Sequence, residues 1–132
     1  MNNRYNIIVP PALKPRPDAY EMMVAKICAP WFHSDIEFIL RGNRTTPDIR
    51  VIATNRSWEI KSIRGNSKYT IRDNLKKASQ QSDYIIISLL KPTTMTPSQA
   101  EARIRHFLAT AKTNIKHVLL ITKQKKVIDI GK

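Results

Sequence analysis

Between residues 46 and 63 the chain reads TPDIRVIATNRSWEIKSI, and Asp48, Glu59 and Lys61 are its side chains best suited to chemistry. Two stretches of strand-like alternation, 48–53 and 57–63, flank Asn55-Arg56 and predict a β-hairpin. With Asn55 and Arg56 as the two loop residues, Asp48 opposes Ile63, Arg50 opposes Lys61 and Ile52 opposes Glu59. Side chains alternate faces along a strand. Asp48, Glu59 and Lys61 therefore share one face, while Ile49, Val51, Trp58 and Ile60 share the other, the expected core face. Two carboxylates can hold a hard divalent cation, Mg²⁺ first, with Mn²⁺ or Zn²⁺ as alternatives. Such a cation makes water a better nucleophile and polarises a phosphoryl oxygen. A lysine beside it orients the water or steadies the transition state. Together these groups suit phosphodiester hydrolysis. The bland alternative is an exposed Glu59–Lys61 ion pair, with Asp48 capping a turn after Pro47.

The surrounding elements must hold that hairpin. Residues 1–17 carry Pro10, Pro11, Pro15 and Pro17 and read as an extended arm, with a short strand at 7–9. Asp18 is the expected N-cap of a helix reaching Cys28, ended by Pro30. Strands are expected at 35–40, 48–53 and 57–63, with a turn at Gly42-Asn43 between the first two. A helix follows over 71–82, with Ile71, Leu75, Ala78 and Ser82 facing inward. The run 84–90 is nearly all apolar and predicts a central strand buried on both faces. Thr96-Pro97-Ser98-Gln99 reads as a capping box opening a helix to Lys112. Strands at 117–122 and 127–130 close the chain around Gln124-Lys125. The order predicts an α/β fold with a central mixed sheet flanked by helices, as one domain over 18–132 behind the arm.

The chain has 132 residues, 23 Lys and Arg against 10 Asp and Glu, and a formal net charge of +13. One cysteine excludes an internal disulfide framework, and Cys28 reads as a buried apolar filler. No apolar run is long enough to span a membrane, and the start lacks the pattern of a secretory signal. The net charge is +2 over 1–45, +4 over 46–83 and +7 over 84–132. A field this positive favours a polyanion, most often nucleic acid. Several of the few acids nevertheless interrupt apolar patterns, where a carboxylate is costly and a pure phosphate binder has no use for one.

Pro47-Asp48 followed by Glu59-Ile60-Lys61 matches the PD-(D/E)XK nuclease signature, and the flanking helices and strand resemble that superfamily's core. Within it the chain resembles CdiA-type C-terminal tRNase toxin domains of contact-dependent growth inhibition. The resemblance rests on an upstream helix bearing Glu21, then TPDI, WEIKS, a short basic loop, a helix ending in Gln-Ser and an apolar strand, covering about 18–90. Members often carry a glycine in the hairpin turn, where this chain has Thr54-Asn55-Arg56-Ser57; asparagine tolerates positive φ there.

The resemblance implies a metal-dependent ribonuclease cutting tRNA, delivered from a bacterium into a target cell's cytoplasm and neutralised by a cognate immunity protein. A domain of charge +13 suits an acidic partner of that kind. In this reading Asp48 and Glu59 hold the metal, Glu21 completes the site as a third carboxylate, and Lys61 assists the water. Gln81 matches the family's helix glutamine and would fix a water, Lys61 or a phosphate. Asn74 lies seven residues earlier and is expected on the same side of that helix. Glu21 also reads as an ordinary exposed helix acid, and Gln81 as a polar boundary residue. Lys68, Thr70, Arg72 and Lys76 follow the hairpin closely and are expected to meet the phosphate backbone. A second basic region runs from Arg103 to Lys126 and either cradles RNA or keeps the domain soluble. His33, His106 and His117 show no metal-ligand spacing. The competing readings are a DNA endonuclease or resolvase of the same superfamily and a non-catalytic RNA-binding module.

Overall fold

A computed structural model describes residues 4–41 and 46–131. Seven strands form one mixed sheet in sequential order, with three helices. The strands are β1 (Ile7–Ile8), β2 (Ile36–Phe38), β3 (Ile49–Val51), β4 (Arg56–Ser62), β5 (Tyr84–Ser88), β6 (His117–Ile121) and β7 (Val127–Gly131). The helices are α1 (Ala19–Phe32), α2 (Thr70–Ser79) and α3 (Pro97–Thr110). β4, β5 and β6 run parallel, as do β1 and β2; the β2–β3, β3–β4 and β6–β7 pairs are antiparallel. The expected mixed α/β order is therefore present, and β1 joins the arm's residues to the sheet edge. Leu13 from the same segment is buried in the core.

The sheet separates two apolar clusters. Val24, Cys28 and Ala29 of α1 pack with Ile49, Val51, Trp58, Ile60 and Ile86 on one face. Ile71, Leu75 and Ala78 of α2 and Ile104 of α3 pack with Ile85, Ile87 and Leu120 on the other. β5 thus buries alternate isoleucines on both faces, as its unbroken apolar run requires, and Trp58 lies in the core as its parity predicts.

Local chemistry sets two boundaries differently from expectation. Pro30 does not end α1, which continues to Phe32. A proline in the last turn forfeits one intrahelical hydrogen bond, and α1 stops instead where His33 turns left-handed at φ 53. Ser34 then donates to the carbonyl of Ala29 at 3.0 Å, satisfying a terminal acceptor. α2 stops at Ser79, short of the expected Ser82, and the Ser82 hydroxyl donates to the Ser57 carbonyl at 2.9 Å. The Gln80 and Gln81 N–H groups donate three residues back, to the Lys77 and Ala78 carbonyls, and this tightened turn closes the helix. α3 opens on the expected capping box, Thr96 and Gln99 bonding reciprocally. The expected turn at Gly42-Asn43 lies outside the described residues.

The hairpin register is the main correction. Ile49 pairs with Trp58, Arg50 with Ser57 and Val51 with Arg56, so the loop holds four residues, Ile52 to Asn55. Asn55 closes it at φ 55, its N–H donating to the Ile52 carbonyl at 3.2 Å. A two-residue loop at Asn55-Arg56 would need positive φ at both residues, which arginine resists. The slip is an even number of residues, so every side chain keeps its predicted face. The regular pairing stops at Ile49–Trp58: just before it the Asp48 N–H donates to the Trp58 carbonyl at 3.2 Å and the Asp48 side chain accepts the Ile60 N–H at 2.9 Å, which brings that side chain beside Glu59.

Candidate active site

Asp48 enters β3 directly after Pro47, and its own N–H donates to the Trp58 carbonyl at 3.2 Å. Its side chain reaches across the ladder: Oδ2 accepts the N–H of Ile60 at 2.9 Å. That bond fixes the carboxylate beside Glu59. Glu59 is 3% exposed, because its strand neighbour Ile85 belongs to the apolar cluster beneath α2. Its Oε2 lies 3.4 Å from the Lys61 Nζ, while its Oε1 is buried with no hydrogen-bond partner. Burial, with Asp48 next in importance, pushes the Glu59 carboxyl up to about 8; Lys61 opposes the shift. Lys61 is partly exposed, on the same face. The hairpin thus brings together the three residues named for the site's centre.

Glu21 occupies a more local position. It is the third residue of α1, and its Oε1 accepts the Asp18 N–H at 3.0 Å while Asp18 Oδ1 accepts the Glu21 N–H at 2.8 Å. The pair is a capping box, legible in the Asp-x-x-Glu spacing and overlooked by a reading that took Asp18 alone. Burial is the main cause raising the Glu21 carboxyl, and the Asp18 N–H opposes it; Asp48 adds a smaller upward push. Its Oε2 faces Arg41, whose Nη2 stands 3.8 Å from both Glu21 and Asp48. Arg41 is a site residue that sequence spacing does not suggest, since nothing in β2 or after it marks a cation aimed at two distant acids.

Gln81 lies beyond α2 rather than on it, half-buried in the turn before β5, its N–H donating to the Ala78 carbonyl at 2.9 Å. It therefore does not share a helical side with Asn74, whose amide donates to the Thr70 carbonyl at 2.8 Å. Of the expected nucleic-acid contacts, Lys68, Arg72 and Lys76 line one groove between α2 and α3. Thr70 is engaged locally, its hydroxyl 3.2 Å from that of Ser67. Cys28 is buried, and the three histidines lie on separate elements.

Among the described residues no group of three or more His, Cys, Asp and Glu side chains is gathered tightly enough to hold a metal ion. What the site offers is a pair. Asp48 and Glu59 are neighbouring carboxylates, and the buried Glu59 Oε1 has no hydrogen-bond partner among the described residues. A buried acceptor of that kind is costly without a partner, and a divalent cation fits it.

A family profile described as the contact-dependent growth inhibition CdiA C-terminal domain matches residues 44–127. The chain belongs to this family. The matched segment takes in the β3–β4 hairpin and runs through α3 and β6, so the C-terminal part belongs to the resemblance as much as the hairpin does. Among solved structures, the CdiA-CT/CdiI toxin and immunity complex from Burkholderia pseudomallei is similar in fold, with a TM-score of 0.60 and 16% identity. The similarity covers 93% of this chain and 96% of that one. No curated protein matches. Among the described residues of this CdiA C-terminal domain, no helix is long and apolar enough to cross a membrane.

Proposed function

We propose that this domain is a metal-dependent ribonuclease toxin of the PD-(D/E)XK type that hydrolyses phosphodiester bonds of tRNA. The observation that carries the reading is the Asp48 carboxylate held beside the buried Glu59 by the Ile60 N–H at 2.9 Å, with Lys61 3.4 Å from Glu59. Asp48 and Glu59 would hold a divalent cation, with Glu21 approaching once Arg41 is displaced. A bound Mg²⁺ or Mn²⁺ supplies Lewis acidity toward the phosphoryl group and makes water a better nucleophile at neutral pH. The chain's own residues do the rest. The Ile60 N–H holds the Asp48 carboxylate in place. Apolar neighbours keep solvent from Glu59, which strengthens its hold on any cation. The Lys61 ammonium orients the attacking water by hydrogen bonding and offsets charge that builds on the phosphate. Gln81, in the turn before β5, would fix a water or a phosphate.

The family and the fold of the toxin and immunity complex support two further parts of the reading: delivery into the cytoplasm of a target cell, and neutralisation by an acidic immunity protein. The test is incubation of the purified domain with total RNA and with plasmid DNA, in Mg²⁺, Mn²⁺, Zn²⁺ or chelator. Loss of full-length tRNA only with metal is the expected result. Cleavage of DNA alone reassigns the substrate to the superfamily's DNA endonucleases. Intact RNA and DNA under every condition leaves a binding module and ends the enzyme reading.

A further inference from the structure

A groove of about 600 Å³ runs between α2 and α3, away from the acidic pair. Lys68, Arg72 and Lys76 line its α2 side with Tyr69, and Arg103 and His106 line its α3 side. Among the described residues no acid lines it. Glu101 is engaged outside the groove by Arg105 at 2.9 Å, and Asp73 pairs with the groove's Arg72 at 3.1 Å without itself lining the groove. Arg103 also ties the two walls, donating to the Ser67 carbonyl at 3.3 Å.

Charge alone would suit any polyanion; Tyr69 narrows the choice. It is a large aromatic side chain, 46% exposed, at the entrance to α2. The Arg72 guanidinium lies 4.4 Å from its ring centre and the Lys68 ammonium 5.1 Å. An exposed ring with a planar guanidinium laid over it is a stack that a nucleobase can extend. An acidic peptide would use the cations and leave the ring idle. Arg72 and Lys76 are one helical turn apart, about 6 Å along the axis, a step that suits successive phosphates of one strand. Ala102 and Ala111 keep the α3 wall low enough for a flat base to enter.

We propose that the α2–α3 groove is a second binding site for the substrate RNA, in which Tyr69 stacks an unpaired base while Arg72, Lys76 and Arg103 hold the flanking phosphates. The inference rests on the ribonuclease reading for its ligand but not on cleavage. The groove holds the strand while the β3–β4 hairpin acts on it.

The test measures binding of a labelled tRNA pool in chelator, on a Glu59→Gln background, so that no cutting is needed. Replacing Arg72, Lys76 and Arg103 by alanine should weaken binding at least tenfold and flatten the slope of log affinity against log salt by about 2, as three lost phosphate contacts require. Tyr69→Ala should weaken binding several-fold with the salt slope unchanged, and Tyr69→Phe should restore it. A matched control removes Lys123, Lys125 and Lys126 around the β6–β7 turn, none of which lines the groove. Equal losses from both triple variants mean diffuse attraction and overturn the site. Competition by poly-glutamate as effective as by unlabelled RNA of equal charge assigns the groove to an acidic protein instead. If the wild-type domain cuts nothing with metal yet the groove variants lose RNA, the nuclease reading fails and the groove stands. Circular dichroism checks that these exposed substitutions leave the fold intact.

Discussion

The Asp48 carboxylate accepts the N–H of Ile60 at 2.9 Å, and so the residue just before β3 is locked to the backbone beside Glu59 on β4. Two acids are held together across a sheet that buries one of them. Neither can retreat into solvent without breaking a strand contact. The pair therefore carries a standing electrostatic cost that a bound cation or a proton relieves.

That cost sets a pH dependence. The Glu59 carboxyl is pushed up to about 8 in the folded protein, against 4.5 as its ordinary value. Between those values the folded state holds a proton that the unfolded chain has released. The stabilisation is fully present below about 4.5 and is lost as pH rises toward 8. In chelator, the melting temperature of the wild type should fall by several degrees between pH 5 and 8.5. Glu59→Gln, which copies the protonated form, should flatten that part of the profile. The same variant should lose at least 100-fold in metal-dependent cleavage, consistent with loss of a metal ligand. A Glu59→Gln protein with the wild-type pH profile would show that the burial of this carboxyl is relieved by other means.

Arg41 competes with any cation for the same acids. It stands 3.8 Å from both Glu21 and Asp48, and its charge offsets theirs in the metal-free protein. Removing it exposes both carboxylates to a metal without a resident rival. Arg41→Ala should bind Mn²⁺ several-fold more tightly in calorimetry, while losing no more than about 1 kcal/mol of stability, the ordinary range for a partly exposed ion pair. Weaker Mn²⁺ binding in the variant would instead make Arg41 a support for the acidic pair.

Much of this arrangement is legible in the sequence. Alternation placed Glu59 and Lys61 on one face and Trp58 on the other, and the apolar run of β5 announced a strand buried on both sides. The four-residue loop was not legible, because loop length depends on whether one residue or two can adopt positive φ, and Asn55 does so alone. The site survived that error only because the slip was even. Pro30 misled for a related reason: a proline in a last turn ends a helix only if the capping geometry agrees, and His33 and Ser34 put that geometry further on. Arg41 and Arg103 were invisible as partners of Asp48 and of the α2 cations. Contacts between elements far apart in sequence follow from how helices seat on the sheet, not from local pattern.

Glu21 has two roles to separate, a helix cap and a third carboxylate, and one pair of variants does so. Its Oε1 accepts the Asp18 N–H, a role that a glutamine carbonyl can fill, while its Oε2 faces Arg41 with a charge that a glutamine lacks. Glu21→Gln should keep the capping box and stay within about 0.5 kcal/mol of wild-type stability. Glu21→Ala should lose the reciprocal bond and cost about 1 kcal/mol, comparable to other lost caps. Activity then decides the chemistry. If Glu21 completes the metal site, both variants lose cleavage, and raising the Mn²⁺ concentration partly restores Glu21→Gln. If Glu21 only caps α1, Glu21→Gln cuts like the wild type, and Glu21→Ala loses activity only as far as its melting temperature falls. Measuring cleavage and thermal unfolding of the two variants side by side separates the outcomes, because the amide preserves one of the residue's two oxygen contacts and removes the charge behind the other.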